Sequence, residues 1–406
     1  MPANEFVLAT NFDDALLEQT RNLPVSTFFG GFPVSLTGGG RPPYILPDVT
    51  DEKFRDHIAK IHAQHRKFLV TLNSNDLGLK EYSPNFIPEF LAEAQRLLDL
   101  GVDGFIVAIP ILMEALHREY PDVHLSASTF ARITTVGQAE YFRDLGASVI
   151  VLEEANKNFR LIRNLVAADI NVEILANQTC IKDCPFRAQH LQNSSLGSQP
   201  GNAKFWFEAP IMECGVEVAR DPGRLVNSIA VRPEDLEAYE ALGVHRFKLS
   251  GRNRPTEWLV KVARAYEQKS WEGNLLDILS YVQFKGPMSA VSRIAEQGAL
   301  PVINQFKEAL DPLAGVSMDN KAYPAGFLKR VGNTDCENMS CKVCGYCGGV
   351  AQKVVKVNGV PLSDYHPAVA NLPPVAMLLP HLGHSSSTPS ARRYEPSMKT
   401  EAPCTP

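Results

Sequence analysis

The sequence predicts a (β/α)8 barrel of the TIM type with a small cysteine-rich C-terminal region. Three observations lead there. Short β-branched runs alternate eight times with amphipathic segments between about residues 25 and 270. Several amphipathic segments end on a glycine that opens the next run, at Gly101, Gly146 and Gly243, where a left-handed residue closes a helix. No G-x-G-x-x-G follows an early run, which removes the main reason to expect an open doubly wound sheet.

The expected strands are 25–30, 67–73, 104–109, 124–128, 148–153, 171–177, 227–232 and 246–250. Helical patterns lie between them, among them DEKFRDHIAKIHAQHR, PEFLAEAQRLLDL and NFRLIRNLVAA. Two stretches interrupt the rhythm. GGFPVSLTGGGRPPYILPDVT follows the first expected strand, and the insertion 178–226 follows the sixth. Loops that leave the C-terminal ends of barrel strands form the active face, so both insertions are expected on the functional rim.

The chain has 406 residues, 45% hydrophobic and 21% charged, enough for a large core and more than one average domain. The expected division is a barrel over 1–270, a cysteine-rich metal-binding region over 271–364 and a disordered Pro- and Ser-rich tail over 365–406. Lys and Arg total 40 against 45 Asp and Glu, a net charge of −5 that speaks against a nucleic-acid partner. The N-terminal MPANEFVLATNFDD shows no signal-peptide pattern, and no apolar run approaches the ~18 residues of a membrane span. A cytoplasmic protein without a membrane partner is expected.

The eight cysteines are clumped. None precedes Cys180. Then come Cys180, Cys184 and Cys214 in the second insertion, a quartet at Cys336, Cys341, Cys344 and Cys347, and Cys404 in the tail. Stapling disulfides are usually scattered, so this grouping reads as metal ligation in a reducing compartment. In DCENMSCKVCGYCGG two successive x2 gaps gather three thiolates around one compact object, the habit of a 4Fe–4S cluster; a four-cysteine zinc site is the alternative. Cys180, Cys184 and Cys214 alone would leave one iron of a cubane without a cysteine, open to substrate. Cys336 could also complete that set, leaving the other three to a second cluster. The C-x3-C-x2-C of radical S-adenosylmethionine enzymes is absent, as are G-x-x-x-x-G-K-[ST], H-E-x-x-H and G-x-S-x-G.

Other polar residues fall on the same rim. A helix starting near Pro185 would set Arg187 and His190 one turn apart on one face, as an anion contact and a proton donor, or as a plain surface pair. Asn73 and Asn177 end strands, and His124 and Ser126 sit in one; such residues line sites or make buried hydrogen bonds. Glu153 and Glu154 are candidates for acid–base work or for an ion pair. Lys248 and Arg252 flank the last strand, where barrels often hold anions.

In order, TLN (71–73), GVDGFIVAIP (101–110), HLSAST (124–129) and LGASVIVLEE (145–154), followed by a cysteine loop, resemble the collagenase-like peptidase family U-32. VRPEDLEAYEALGVHRFKLSGR (231–252) and WEGNLLDIL (271–279) extend the likeness. The resemblance implies an oxygen-independent iron–sulfur enzyme of the hydroxylase-related branch, with one or two 4Fe–4S clusters and an electron donor or related partner chain. The sequence departs from the better-known members in carrying Glu153-Glu154 and Asn177-Gln178 where those have Arg-Glu and His-Gly. The expected function is an iron–sulfur-dependent oxidoreductase hydroxylating a small organic substrate. Its catalytic residues would come from Arg187, His190, Asn177, His124 and Glu153. Sulfur transfer through the open cluster, or a peptidase with structural metal, are the alternatives.

Overall fold

Eight parallel strands close on themselves in chain order: β1 (Glu5–Ala9), β2 (Val25–Gly30), β3 (Lys67–Leu72), β4 (Gly104–Val107), β5 (His124–Ala127), β6 (Val149–Leu152), β7 (Val172–Leu175) and β8 (Arg246–Leu249). The ring closes where β8 pairs with β1, Phe6 opposite Phe247 and Leu8 opposite Leu249. The computed structural model describes residues 3–32, 35–41, 46–200, 209–281 and 310–367. Cys404 and nearly all of the expected tail lie outside the described residues, as do parts of both insertions.

Seven of the eight expected strands are present; the run 227–232 is not one of them. Its β-branched pattern reflects burial rather than a ladder. Ile229 and Val231 are buried, and the segment is strapped along the end of β7 by two backbone bonds, Ile229 N–H to the Cys180 carbonyl (3.0 Å) and Val231 N–H to the Ala176 carbonyl (2.8 Å). The eighth place in the ring belongs to β1, a five-residue strand ahead of all those expected. The cysteine loop therefore follows the seventh strand.

Gly101, Gly146 and Gly243 take φ of 99°, 104° and 86°, the left-handed values that end their helices. Gly104 has a different cause: a β-carbon there would stand 2.1 Å from the carbonyl oxygen of His124 on β5, so only glycine lets these strands approach. Helices pack outside the ring through aromatic side chains such as Phe54 against Phe68 (5.4 Å between centroids) and Tyr239 against Phe247 (6.0 Å). Each such side chain, fully buried, contributes roughly 1.5–3 kcal/mol.

The lower half of the barrel interior is polar but paired. Glu173 on β7, 1% exposed, accepts from Arg246 (2.7 Å) and Lys248 (3.1 Å), and Lys248 also sits over the Phe29 ring (4.2 Å). These ions plug the barrel below its mouth. Beyond the ring, β9 (Val316–Met318), β10 (Val355–Val357) and β11 (Val360–Pro361) form a small antiparallel sheet in the order β11-β10-β9. Asn358 and Gly359, both at positive φ, make the two-residue turn between its last strands. This region is tied to the barrel by Tyr281 Oη to the Leu313 carbonyl (3.2 Å) and Tyr365 Oη to the Ala219 carbonyl (2.8 Å).

Candidate active site

Every strand end delivers a backbone turn to one side of the ring, and that side carries the insertions. After β7 the chain runs through Gln178 to Cys180 and Cys184, then into the helix Arg187–Gly197. Cys214 arrives on the helix Ala209–Arg220. These three cysteines line one cavity of about 330 Å³, together with Arg187 and His190. A second cavity of about 100 Å³ opens directly over the barrel axis between Phe29, Asn73, Glu153, Lys248 and Arg252, and shares Cys180, Arg187 and His190 with the first.

Arg187 organises the wall between them. It is buried, and its guanidinium donates to Glu153, to Glu154 Oε1 (3.2 Å) and to Cys180 Sγ (3.3 Å). Burial works against its charge, but the Cys180 thiol and the two carboxylates hold it protonated. Glu153 is thereby engaged as the buried partner of Arg187 rather than left free for acid–base work, and Glu154 is shared with Arg132 (3.0 Å). His190, one turn along the helix, is pushed down to about 3 by burial and by the charges of Arg187 and Arg41, so it is neutral at physiological pH.

Two of the other expected residues stand elsewhere. Asn177 is fully buried and spent on β8: it accepts from Ser250 N–H (2.7 Å) and donates to the Ser250 carbonyl (3.0 Å). His124 begins β5, so it lies at the opposite end of the barrel from the cysteines, bonded to Ser126 (3.1 Å) and beside Arg246 and Glu173. Burial and Arg246 hold its imidazole at about 4. A strand's first residue cannot reach the face built by strand ends.

All seven described cysteines are free thiols. Cys214 is pushed up to about 12 by burial and by its neighbour Cys184, and Cys180 is pushed up by burial with Cys214 adding to it. In the C-terminal set, burial and the thiols of Cys336, Cys341 and Cys344 push Cys347 up to about 11, against the opposing charge of Lys157. Each set thus gathers soft donors that repel one another as thiolates, which is the demand a bound cation satisfies. Among the described residues no three His, Cys, Asp or Glu side chains are close enough to hold a single metal ion. A multi-iron cluster is a larger object than one ion, and soft thiols that line one 330 Å³ cavity are the donor type it takes. There Cys180, Cys184 and Cys214 would be the ligands.

Several residues of the site carried no motif. Asn227 bridges two cysteines of the C-terminal set, donating to Cys341 Sγ (3.7 Å) and accepting from Cys347 Sγ (3.8 Å). Lys157 is buried beside it, bonded to the Ser228 carbonyl (2.5 Å). Arg41 and Arg254 join Arg252 around the mouth. Only proximity in space marks them. A hydroxyl–imidazole–carboxylate array also exists, Thr10 Oγ1 to His57 Nε2 (2.9 Å) and His57 Nδ1 to Asp14 (2.8 Å). Its hydroxyl is 1% exposed and already accepts from Phe12 N–H (3.0 Å), so no substrate carbonyl reaches it.

Residues 46–183, from the first insertion to the cysteine loop, match the family model for peptidase family U32. An uncharacterized protease of Methanocaldococcus jannaschii, MJ1657, is 26% identical over 254 residues, 61% of this chain and 74% of that protein. Among solved structures, the U32 peptidase Mk0906 is 20% identical with a TM-score of 0.42, covering 50% of this chain and 79% of its own. Dihydropteroate synthase from Thermus thermophilus is 14% identical with a TM-score of 0.28, covering 65% and 94%. No helix among the described residues is long and apolar enough to cross a membrane. Over residues 46–183 this chain is thus similar to proteins of peptidase family U32.

Proposed function

We propose that the chain is an iron–sulfur-dependent redox enzyme that hydroxylates a small molecule at the barrel mouth without molecular oxygen. The observation that carries this reading is the convergence of Cys180, Cys184 and Cys214, all free, on one cavity at the functional end of the barrel. A cluster held there supplies an electron-accepting centre with one iron free of cysteine. The chain's own residues do the rest. Arg187, fixed by Glu153 and Glu154, keeps a positive charge against Cys180 and favours its thiolate. Neutral His190, on the shared wall, is placed to hydrogen-bond a polar group of the substrate. With water as the oxygen source, a C–H bond and an O–H bond of water break and a C–OH bond forms. Two protons and two electrons leave, the electrons to an external carrier.

The M. jannaschii relative bears the name of a protease, and peptide cleavage is the rival reading. The sealed Thr10–His57–Asp14 array gives that reading no accessible nucleophile. Anaerobic purification with iron and sulfide assays and electron paramagnetic resonance tests the proposal. Iron and sulfide near four or eight per chain, reduced by Cys180→Ala, are expected, with product oxygen drawn from labelled water. Zinc without iron, or peptide cleavage by iron-free protein, overturns it.

A further inference from the structure

The mouth of the barrel carries positive charge that the described protein does not balance. Most cations near it are matched: Arg187 by Glu153 and Glu154, Arg132 by Glu154, Lys248 by Glu173. Arg41, Arg252 and Arg254 are not. Among the described residues none of the three forms an ion pair with a carboxylate, and the charged neighbour that acts on Arg252 and Arg254 is Arg41, a like charge. The cavity that holds Arg41, Arg254 and the three thiols has no carboxylate among its described lining residues.

Arg252 is held rather than loose. Its Nη1 donates to the Gly39 carbonyl (2.9 Å) and to Thr71 Oγ1 (2.8 Å), and among the described residues the remaining donors of the fork have no partner. A β-carbon on Gly31 would stand 3.2 Å from that nitrogen, tighter than ordinary contact, so this glycine leaves it room. Arg254 is anchored by Nη2 to the Tyr281 carbonyl (3.2 Å). Two pre-set guanidinium groups and Arg41 thus border cavities that also contain Cys180. Burial and Arg41 together draw Arg252 and Arg254 below the ordinary guanidinium range.

The kind of anion follows from the donors. A phosphate cradle would use the backbone N–H groups of Gly38–Gly40. Gly38 N–H is already bonded to the Ser35 carbonyl (3.2 Å) and Gly40 N–H to Ser198 Oγ (3.1 Å), while Gly39 turns its carbonyl toward Arg252. What remains are planar forks, which match a carboxylate two oxygens at a time. We propose that the substrate is an organic carboxylate, its acid group held by Arg41 and Arg252 so that the rest of the molecule lies toward Cys180. This rests on the redox reading only for what happens to the substrate, not for how it is held.

Calorimetric titration of the anaerobically purified full chain with succinate and benzoate, against succinamide, benzamide and inorganic phosphate, tests it, with iron and sulfide counted in the same sample. Saturable binding of a carboxylate is expected, at least tenfold tighter than its amide and tighter than phosphate. Arg41→Gln, a half-buried side chain outside every ion pair among the described residues, and Arg252→Lys, which keeps the charge but loses the fork, should each weaken it roughly tenfold or more. Equal binding of amide and acid, preference for phosphate, no saturable carboxylate binding, or unchanged affinity in both variants overturns the proposal. Carboxylate binding in iron-free protein would overturn the redox reading and leave this one standing; iron without carboxylate selectivity would do the reverse.

Discussion

The backbone N–H of Ile229 donates to the carbonyl of Cys180 at 3.0 Å, and through it the two cysteine groups of the molecule are joined. Two residues before Ile229, the Asn227 amide touches Cys341 and Cys347. The strap from Asn227 to Ile229 therefore spans from the barrel's thiols to those of the C-terminal region. An amide that bonds two thiols orients both of them.

Were a cluster bound by Cys336, Cys341, Cys344 and Cys347, Asn227→Ala should weaken its retention by roughly 10–100-fold, because residues that orient ligands carry about that much affinity. Chelator-driven release of iron from the anaerobically purified chain measures it, with Cys180→Ala as the control that leaves this set intact. Equal retention in Asn227→Ala and wild type would refute the bridging role.

Removing Arg187 strands a buried charge. Glu153 is 4% exposed and relies on that guanidinium, so Arg187→Ala should cost about 3–5 kcal/mol of unfolding free energy. Urea denaturation measures the loss. Adding Glu153→Gln should return part of it, since an uncharged amide tolerates the same pocket better.

The lumen beneath behaves in the same way but with the signs exchanged. Glu173→Gln leaves Lys248 without an anion and Arg246 with only the exposed Glu5, again about 3–5 kcal/mol. Burial pushes the Glu173 carboxyl up, yet Lys248 and Arg246 reverse this and hold it below its ordinary value. Its stabilisation is therefore complete above about pH 4.5 and fades only as the pH falls further. Coupling of the Glu173→Gln and Lys248→Met substitutions in a double-mutant cycle would reveal the pair directly.

Acid sensitivity should begin earlier, with the histidines. Burial first, then neighbouring cations, hold His57, His124 and His190 below the ordinary imidazole value, His124 at about 4 and His190 at about 3. The unfolded chain takes up these protons near pH 6.5 while the folded chain resists, so stability is full above about 6.5 and declines as the pH drops. Urea midpoints at pH 8, 6 and 5 should fall steadily, and His190→Gln should flatten part of that slope. A midpoint unchanged down to pH 5 would contradict the assignment.

Much of this architecture was legible in the residues. Periodicity located seven strands, and the clumping of Cys180, Cys184 and Cys214 after one strand placed them on the rim that the barrel in fact builds. The misses share a cause. EFVLA is a short apolar run with no alternation and no turn signal before it, indistinguishable by pattern from any buried segment. NSIAVR has strand-like residues because Ile229 and Val231 are buried, although its backbone pairs at only two points with the cysteine loop and the end of β7. His124 opens β5 and Glu153 follows the last residue of β6, and only these positions relative to equally good strands separate a foot of the barrel from its mouth. Arg41, Asn227 and Lys157 were silent because solitary polar residues acquire meaning from what the fold sets beside them.

The place of β1 in the ring has a practical side. A ring of strands has no edge, and this one is completed by five residues near the front of the chain, hydrogen-bonded to β2 on one side and β8 on the other. Trimming those residues, or forcing them apart with a tightly fused tag, would open two flanking strands at once and offer both unpaired borders to other molecules. Self-association, rather than a quiet loss of activity, is what such a truncated barrel would display, and the Arg252 turn carried by β8 would loosen with it.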